Sequence, residues 1–320
     1  MLVNVLLSVL PLFLIMLIGY FASRSAKFGA GAEPAISAFV FYIALPALLF
    51  KVVAEAPVDD GIPPSFPIIV IVSCTIFAAF NILISRLLLR QNKSKALQYS
   101  LSSGYGNVAY LGVPVVIGLV GSQAGLAAGI GQLTHNLYFM LLYPVLFPLL
   151  AGGQSHGSNG AKIKGAVDKA ILKNPVVWGI AAGLLVALAR IELPDPVVQT
   201  TDLLAGAAAP GALFAIGLTL SRTVKSLNEG RISVLPLITS TTSKLLALPL
   251  LTIAIAALLP PMPGDWYQAL ILMAAMPTSA TAFILAQAED ENSEATATTI
   301  VLTSGLAIIT IPVISMLFLT

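Results

Sequence analysis

Ten long apolar stretches follow one another along this chain, and they restrict its fold more than any other feature of the sequence. A helix needs roughly 20 mainly apolar residues to cross the ~30 Å hydrocarbon core of a bilayer. Only 9% of the residues are charged, against about 25% in a typical soluble domain. We therefore predict an all-α polytopic membrane protein. Its ten predicted spans, numbered in chain order, are residues 3–23, 34–54, 65–89, 96–120, 124–150, 174–191, 196–221, 232–259, 266–288 and 295–318.

Positive charge is concentrated in every second connection between these spans. Of the 16 Lys and Arg residues, 13 lie in or beside the connections that follow an odd-numbered span. Only Lys51 and Arg190 lie towards the opposite side, and one further lysine lies inside span eight. Because basic connections stay in the cytoplasm, we expect a multi-pass inner (plasma) membrane protein with both termini outside. The acidic turn at residues 289–294 is an exception, but acidic residues carry little weight in this rule.

The longest break between spans contains the polar segment 152–160 (GGQSHGSNG), which divides the ten spans into two sets of five. A segment rich in glycine and serine is typical of a flexible linker. We predict a first repeat over residues 1–150, a cytoplasmic linker over residues 151–173 and a second repeat over residues 174–320.

Two short motifs indicate that the two halves are related. Residues 44–50 (ALPALLF) in span two and 208–214 (AAPGALF) in span seven are identical at four of seven positions. Pro46 of the first motif is followed 68 residues later by Pro114 in span four. Pro210 of the second motif is followed 67 residues later by Pro277 in span nine. Since five is an odd number of spans, the second copy must enter the membrane from the opposite side. The repeats are therefore predicted to be inverted, as in many transporters.

Spans four and nine contain glycine, proline and polar residues where a membrane helix should be continuous. Residues 102–114 read SSGYGNVAYLGVP, and residues 274–282 read AAMPTSATA. Because proline lacks an N–H group and glycine lowers the cost of opening a helix, we expect a break near residues 107–113 and a second near Pro277. Two interrupted helices at matching positions indicate a transport site. The alternative is a pair of proline kinks that only serve packing.

A half-helix that begins at the membrane midplane presents free N–H groups and the positive end of its dipole, and both favour a carboxylate. Small organic anions are therefore the expected substrate class, and neutral donors would help to bind them without a fixed charge in the bilayer. The candidate substrate-binding residues in the two breaks are Asn107, Tyr110, Gly112, Pro114, Pro277, Thr278, Ser279 and Thr281.

Span five adds a polar face to this candidate site. Gln132, His135 and Asn136 stand at positions i, i+3 and i+4, so they share one side of the helix. Polar side chains inside a membrane usually point to a pathway or to a partner helix. The face therefore indicates either a substrate path, with His135 as a possible carrier of protons, or a hydrogen-bonded packing cluster.

Lys244 is the one charged residue that the sequence places deep in the membrane. Three interpretations stay open: it attracts an anion, it pairs with an acid such as Asp202, or its side chain reaches towards the cytoplasm. Lys51 and Asp202 themselves are expected nearer the outer interface, as solvated residues at its rim.

Several functions are excluded or disfavoured by what the sequence lacks. No GxxxxGK[ST] motif is present, so ATP hydrolysis by that route is excluded. The single cysteine, Cys74, excludes a disulfide framework, and His135 stands apart from His156 in the linker, so we predict no metal site and no cofactor. A serine hydrolase would need a nucleophile motif that is missing, so we predict no enzyme. We also predict no nucleic-acid partner. Coupling to protons or sodium stays open.

Together these motifs resemble the auxin efflux carrier family, which includes bacterial malonate and malate carriers and the plant PIN auxin exporters. The resemblance covers essentially the whole chain and depends on the order and spacing of several short segments. These are residues 45–50, 106–114, 174–175, 209–217, 244–249 and 277–286.

The resemblance implies a five-plus-five inverted repeat whose two broken helices cross near the midplane, with Asn107, Pro114 and Pro277 at the crossing. It also implies a homodimer in which spans one, two, six and seven form a scaffold and the other six spans form a mobile unit. The implied function is alternating-access, elevator-type transport of mono- or dicarboxylates such as malonate or malate, or of auxin-like acids. Many relatives carry an aromatic-glycine pair after span nine, where this chain has Glu289 and Asp290, so gating details there are not carried over.

Two other functions stay open at the level of sequence. A sodium-coupled symporter resembling the bile acid family would share the crossed-helix architecture, and sodium dependence of uptake would distinguish it. A non-transporting membrane sensor would lack a solvent-connected cavity at the crossing.

Overall fold

The structure is a computed structural model that describes residues 2–29, 31–55, 61–151, 172–227, 234–288 and 294–318. Within these ranges the chain is helical and forms no strand, so the predicted all-α class is confirmed. The linker segment 152–160, with His156, and the pair Glu289 and Asp290 lie outside the described residues.

The helices of the first half coincide with predicted spans one to five. They are α1 (Leu2–Ala22), α2 (Ala32–Phe39), α3 (Leu45–Ala54), α4 (Ser65–Leu83), α5 (Lys93–Gly104), α6 (Val113–Val120) and α7 (Gly125–Ala151). Wider π-turns extend three of them: Val40–Ala44 joins α2 to α3, Ile84–Leu88 continues α4, and Val108–Gly112 leads into α6.

The helices of the second half coincide with predicted spans six to ten. They are α8 (Pro175–Ala189), α9 (Asp195–Leu227), α10 (Val234–Thr242), α11 (Leu248–Ala256), α12 (Gly264–Ala274), α13 (Ala280–Ala288) and α14 (Glu294–Phe318). The π-turn Ser243–Ala247 joins α10 to α11.

Several helical segments are long and apolar enough to cross a bilayer, so the multi-pass membrane character is supported by the structure as well as by composition. In the described part of the chain five segments of at least 21 residues meet this criterion. They are Ala32–Ala54, Ser65–Leu88, Asp195–Leu218, Val234–Ala256 and Thr298–Phe318. Many large apolar side chains on them are exposed, as expected for surfaces that face lipid.

Three of the π-turns stand directly before a proline. Pro46, Pro114 and Pro249 each lie two residues beyond the last residue of a π-turn. Proline offers no N–H group, and its ring clashes with the carbonyl four residues earlier. The residue before each proline instead donates its N–H to the carbonyl five residues back, which widens the helix without ending it. These prolines are therefore accommodated inside continuous helical segments.

Glycines bring two pairs of helices into backbone contact. A Cβ atom on Gly217 of α9 would collide with the Met16 carbonyl oxygen of α1. In α8, a Cβ on Gly179 would stand 2.6 Å from the Pro46 carbonyl oxygen, and one on Gly183 would stand 2.6 Å from the Phe50 carbonyl oxygen of α3. Small residues allow this close approach and are typical of helix contacts in membranes. We call α1 with α9 and α3 with α8 the glycine-packed pairs.

Many of the buried polar side chains gather elsewhere, between α5 with the segment after it, α7, the end of α10 with its π-turn, the segment before α13, and α14. Each of them is less than a tenth exposed. We call this set the polar centre, and its members are Gln98, Ser102, Ser103, Asn107, Gln132, His135, Asn136, Ser240, Ser243, Lys244, Thr278, Ser279, Thr296, Thr299 and Thr303.

Candidate functional site

Both predicted helix interruptions are present. α5 ends at Gly104, and helical structure resumes at Val108; α12 ends at Ala274, and α13 begins at Ala280. The first interruption therefore covers residues 105–107 and lies at the start of the predicted interval 107–113, whereas the rest of that interval is the π-turn Val108–Gly112. The prediction placed the break too far along the chain, because the π-turn accommodates Pro114 without opening the helix.

The two interruptions contact each other through their main chains. Gly106 and Thr278 form an isolated antiparallel bridge. Its hydrogen bonds run from the Asn107 N–H to the Pro277 carbonyl oxygen (2.7 Å) and from the Ser279 N–H to the Tyr105 carbonyl oxygen (2.8 Å). Backbone groups that left the helices are thus paired, as they must be at membrane depth. Pro277 lies within its break whereas Pro114 lies beyond the other, so these prolines do not mark equivalent positions of the two breaks.

A polar side chain caps each half-helix that starts at the bridge. The Asn107 Oδ1 accepts from the Tyr110 N–H (3.3 Å), and the Ser279 Oγ accepts from the Thr281 N–H (3.1 Å). Asn107 and Ser279 are both buried. Each cap accepts from one N–H group, so the other N–H groups of that first turn have no acceptor in their own helix. The bridge therefore brings two helix N-termini, with their positive dipole ends, into one neighbourhood.

The C-termini of the preceding half-helices meet at Lys244. Its Nζ lies 3.4 Å from the Gly104 carbonyl oxygen and 3.5 Å from the Ala274 carbonyl oxygen, and the side chain is 0% exposed. The interpretation that Lys244 pairs with Asp202 is wrong, because the Asp202 carboxylate binds Lys51 Nζ at 2.6 Å. Complete burial also contradicts a side chain that reaches the cytoplasm.

His135 holds the bridge from the side of α7. Its Nε2 accepts a hydrogen bond from the Gly106 N–H (2.9 Å), and its Nδ1 lies 3.5 Å from the Cys74 Sγ. Because Nε2 accepts this hydrogen bond, it carries no proton, and the proton of the neutral ring is assigned to Nδ1. The ring also lies against Tyr105, which stacks on Phe139 with centroids 4.8 Å apart.

Gln132 and Asn136 lie on the same buried face of α7 as His135, as predicted. Gln132 is 1% exposed, and neither atom of its amide has a hydrogen-bond partner within the described part of the protein. An unpaired buried amide is costly and marks a place where a partner such as water or a ligand would be stabilising.

The remaining predicted residues differ in how accessible they are to a ligand. The Thr278 hydroxyl is already used, because it donates to the Ser102 carbonyl oxygen (2.8 Å), while the Thr278 N–H donates to the Thr303 Oγ1 (3.0 Å). Tyr110 and Thr281 are half-buried in the first turns of the two N-terminal ends. Gly112 and Pro114 are buried, and a Cβ on Gly112 would stand 3.2 Å from the Met276 side chain.

Sequence reasoning missed the contribution of α14. The Thr303 Oγ1 accepts from the Thr278 N–H, and the Thr296 Oγ1 lies 2.7 Å from the Ser102 Oγ. Thr296, Thr299 and Thr303 are buried and lie on one side of α14 at spacings of three and four residues. That spacing is visible in the sequence and would have identified a second polar face.

A small cavity adjoins the polar centre between α4, α7, α11 and α12. Its volume of about 20 Å³ has room for about one water molecule. Its polar lining includes Ser73, Cys74, His135 and Thr252, and the Ser73 hydroxyl has no partner among the described residues.

A multi-pass helical membrane protein with a buried polar centre built on two interrupted helices belongs to the class of membrane transporters. The family model described as "Membrane transport protein" matches residues 4–315 of this chain. The chain belongs to this family, which is the auxin efflux carrier family, and the resemblance seen in the sequence is confirmed.

Relatives of this chain have been named in bacteria and in a mammal. "Putative malonate transporter" of Rhizobium meliloti (strain 1021) is 27% identical over 304 residues, which is 95% of this chain and 92% of that protein. "Uncharacterized transporter YfdV" of Escherichia coli (strain K12) is 27% identical over 219 residues, or 66% of this chain and 67% of that protein. "Lysosomal cholesterol signaling protein" of Mus musculus is 29% identical over 256 residues, or 76% of this chain but 29% of that protein.

Proposed function

We propose that this protein is a secondary active or facilitative transporter of small organic anions and that its substrate binds at the two helix N-termini beside the bridge. The observation that carries this proposal is the meeting of two capped N-termini at one buried place. Such ends bind carboxylates through free N–H groups and their dipole. Malonate is the first substrate to test, because a relative that covers nearly the whole chain is named for it.

The charge of the polar centre supports an anion. Each helix end carries about half an elementary charge, so the two N-termini and the two C-termini cancel. The Lys244 ammonium then leaves a net charge of about +1, since no carboxylate lies within salt-bridge distance of it in the described part of the chain. A buried site with a surplus positive charge favours a monovalent anion or one carboxylate of a dianion.

Gln132 supplies a further argument for binding on this face of α7. Its two unpaired amide atoms lie one turn before His135, which contacts the bridge. A carboxylate would accept from the Gln132 amide nitrogen, and a hydroxyl or water would satisfy its oxygen. Asn107, Ser279, Tyr110 and Thr281 complete the proposed binding set, with Asn136 beside them, whereas Thr278 and Lys244 act by holding the main chain.

The proposed mechanism is alternating access of the elevator type within a ten-span, five-plus-five inverted repeat whose broken helices cross at the bridge. The glycine-packed pairs, formed from spans one, two, six and seven, act as the scaffold of a homodimer. The broken helices with α4, α7, the α10–α11 segment and α14 act as the mobile unit. In this proposal both termini are outside the cell and the linker is cytoplasmic, in line with the distribution of basic residues.

Uptake into proteoliposomes tests the proposal. Malonate, malate and an aromatic acid are compared with and without a proton or sodium gradient, for the wild type and for Asn107→Asp. Asp caps a helix as well as Asn, so the fold should persist, but its charge should repel an anion and lower uptake at least about tenfold.

Asn92→Asp is the matched control, because Asn92 caps α5 in the same way, with its Oδ1 2.8 Å from the Lys95 backbone nitrogen. It should transport like the wild type. Equal uptake by Asn107→Asp and the wild type would exclude binding at this cap. A complete lack of uptake of any acid under any gradient would instead favour a signalling role, such as the name of the mouse relative indicates for that protein.

A further inference from the structure

Two helix C-termini face the same point inside the protein. α5 ends at Gly104 and α12 ends at Ala274, and each helix has a last carbonyl group without a partner in its own helix. Each end carries about half a negative charge. In transporters with interrupted helices, such C-terminal ends and unwound carbonyls coordinate the coupling sodium ion or proton. A cation at this point would therefore stabilise both ends.

The Lys244 ammonium lies at this point. Its distances to the last carbonyl oxygens of α5 and α12 are 3.4 Å and 3.5 Å. Most of the other C-terminal carbonyls have donors of their own: the Ala275 N–H donates to the Ile271 oxygen, and the Tyr105 N–H donates to the Leu101 oxygen. Lys244 supplies a donor to the last carbonyl of each helix.

The surrounding residues leave little space for a second cation. A Cβ on Gly106 would stand 2.9 Å from Lys244 Nζ and 3.6 Å from His135 Nε2, so the ammonium lies directly against the bridge. No group of three or more His, Cys, Asp or Glu residues that would hold a metal ion occurs in the described part of the chain.

The position of Lys244 is fixed by its own helix. It lies in the π-turn Ser243–Ala247, midway between the start of α10 and the end of α11. The Ser243 hydroxyl donates to the Asn81 Oδ1 (2.9 Å), and the Asn81 Nδ2 donates to the Phe77 carbonyl oxygen (2.8 Å). These bonds attach the π-turn to α4, so the backbone that carries the Lys244 side chain is held in place.

We infer that Lys244 is a built-in cation that takes the place of a coupling metal ion at the two helix C-termini. Transport through this site is then independent of sodium, and this consequence rests on the proposed transport function. The stabilising role of the ammonium does not rest on that function, because it concerns the helix ends alone.

The thermal unfolding midpoint of the purified full-length protein in detergent provides the first test. The wild type should unfold at the same temperature in sodium chloride and in choline chloride at equal concentration. Uptake of the transported acid should also be equal in the two salts. A midpoint raised specifically by sodium, or uptake stimulated about tenfold by sodium, would overturn the inference.

Lys244→Ala provides the second test, because it removes the propylammonium portion of the side chain. The variant should unfold at a lower temperature, and propylammonium or sodium ions should raise its midpoint by at least about 3 °C over choline. Lys51→Ala is the control: Lys51 pairs with Asp202 near the protein surface, so no such cation-specific recovery is expected.

A folded Lys244→Ala variant that responds to no cation would overturn the inference, as would the same recovery in Lys51→Ala. If Lys244→Ala does not fold, the wild-type comparison in sodium chloride and choline chloride still tests whether Lys244 takes the place of a metal ion. Failure of the transport proposal would be seen separately, as an absence of carboxylate uptake with the cation response of the midpoint intact.

Discussion

The glycine-packed pairs and the polar centre hold helices together by different means. In the pairs, continuous helices touch backbone to backbone at residues such as Gly217 and Gly183. In the polar centre the helices are interrupted, and the freed backbone groups are paired by a main-chain bridge and by side chains such as His135 and Lys244. The first region should therefore be sensitive to added volume, and the second to the loss of single polar atoms.

The largest effect is expected from Gly217→Ala in a glycine-packed pair. Its Cβ would collide with the Met16 carbonyl oxygen, so α1 and α9 would have to separate along their contact. Overpacking of this kind costs about 3 kcal/mol. The loss should appear as a lower thermal midpoint and as less monodisperse protein after solubilisation.

Gly206→Ala is the matched control in the same helix, since a Cβ on Gly206 would meet no atom within 4 Å. It should be neutral or slightly stabilising, because alanine favours a helix over glycine by about 1 kcal/mol. Equal destabilisation by both substitutions would contradict the explanation, because only the Cβ at position 217 meets a neighbouring backbone.

A smaller effect is expected from His135→Leu in the polar centre. The Gly106 N–H would lose its acceptor inside the protein, which costs about 2 kcal/mol. His135→Gln keeps a side-chain acceptor and should retain more of the thermal midpoint and of the uptake rate. If Leu and Gln behave alike in both measurements, the hydrogen bond to the bridge is not what His135 contributes.

The smallest effect is expected from Thr278→Val, which keeps the shape of the side chain. The Ser102 carbonyl would lose its donor, and carbonyl oxygens tolerate this better than N–H groups do, so the cost should be about 1 kcal/mol. Thr75→Val removes a comparable hydroxyl from the exposed surface of α4, where Oγ1 bonds the Ile71 carbonyl, and should leave the midpoint unchanged. A larger loss from Thr75→Val than from Thr278→Val would show that burial in the polar centre does not set the cost of losing a hydroxyl.

The sequence was sufficient to predict the helical segments and the existence of two interruptions, because apolar length, glycine and proline act locally, but it placed the first interruption too far along the chain. Asn107 and Ser279 were selected as neutral polar residues within the interruptions, and only the structure shows that each caps the half-helix that follows. The approach of α1 to α9 at Gly217 was not predicted, because a glycine in a helix does not indicate which helix it faces.

Lys244 shows most clearly where sequence reasoning stops. Its depth in the membrane was predicted, but its partners are carbonyl groups of two helices that are distant in sequence. A backbone carbonyl has no signature in the sequence, so a nearby acid, Asp202, was the natural candidate. The threonines of α14 differ from this case, because the spacing of Thr296, Thr299 and Thr303 was present in the sequence.

Lys244 also determines how the membrane voltage would act on such a carrier. Moving one elementary charge through 100 mV changes the free energy by about 2.3 kcal/mol. In a carrier whose polar centre crosses the membrane, the empty protein moves the lysine charge alone, whereas a bound monoanion cancels it. A potential that is negative inside then draws the empty centre inward and leaves the loaded one unaffected. A dianion leaves the loaded centre with a net charge of about −1. Because the empty centre returns with the lysine charge in both cases, a completed cycle moves one elementary charge for a monoanion and two for a dianion, so the charge moved per molecule distinguishes the two kinds of acid.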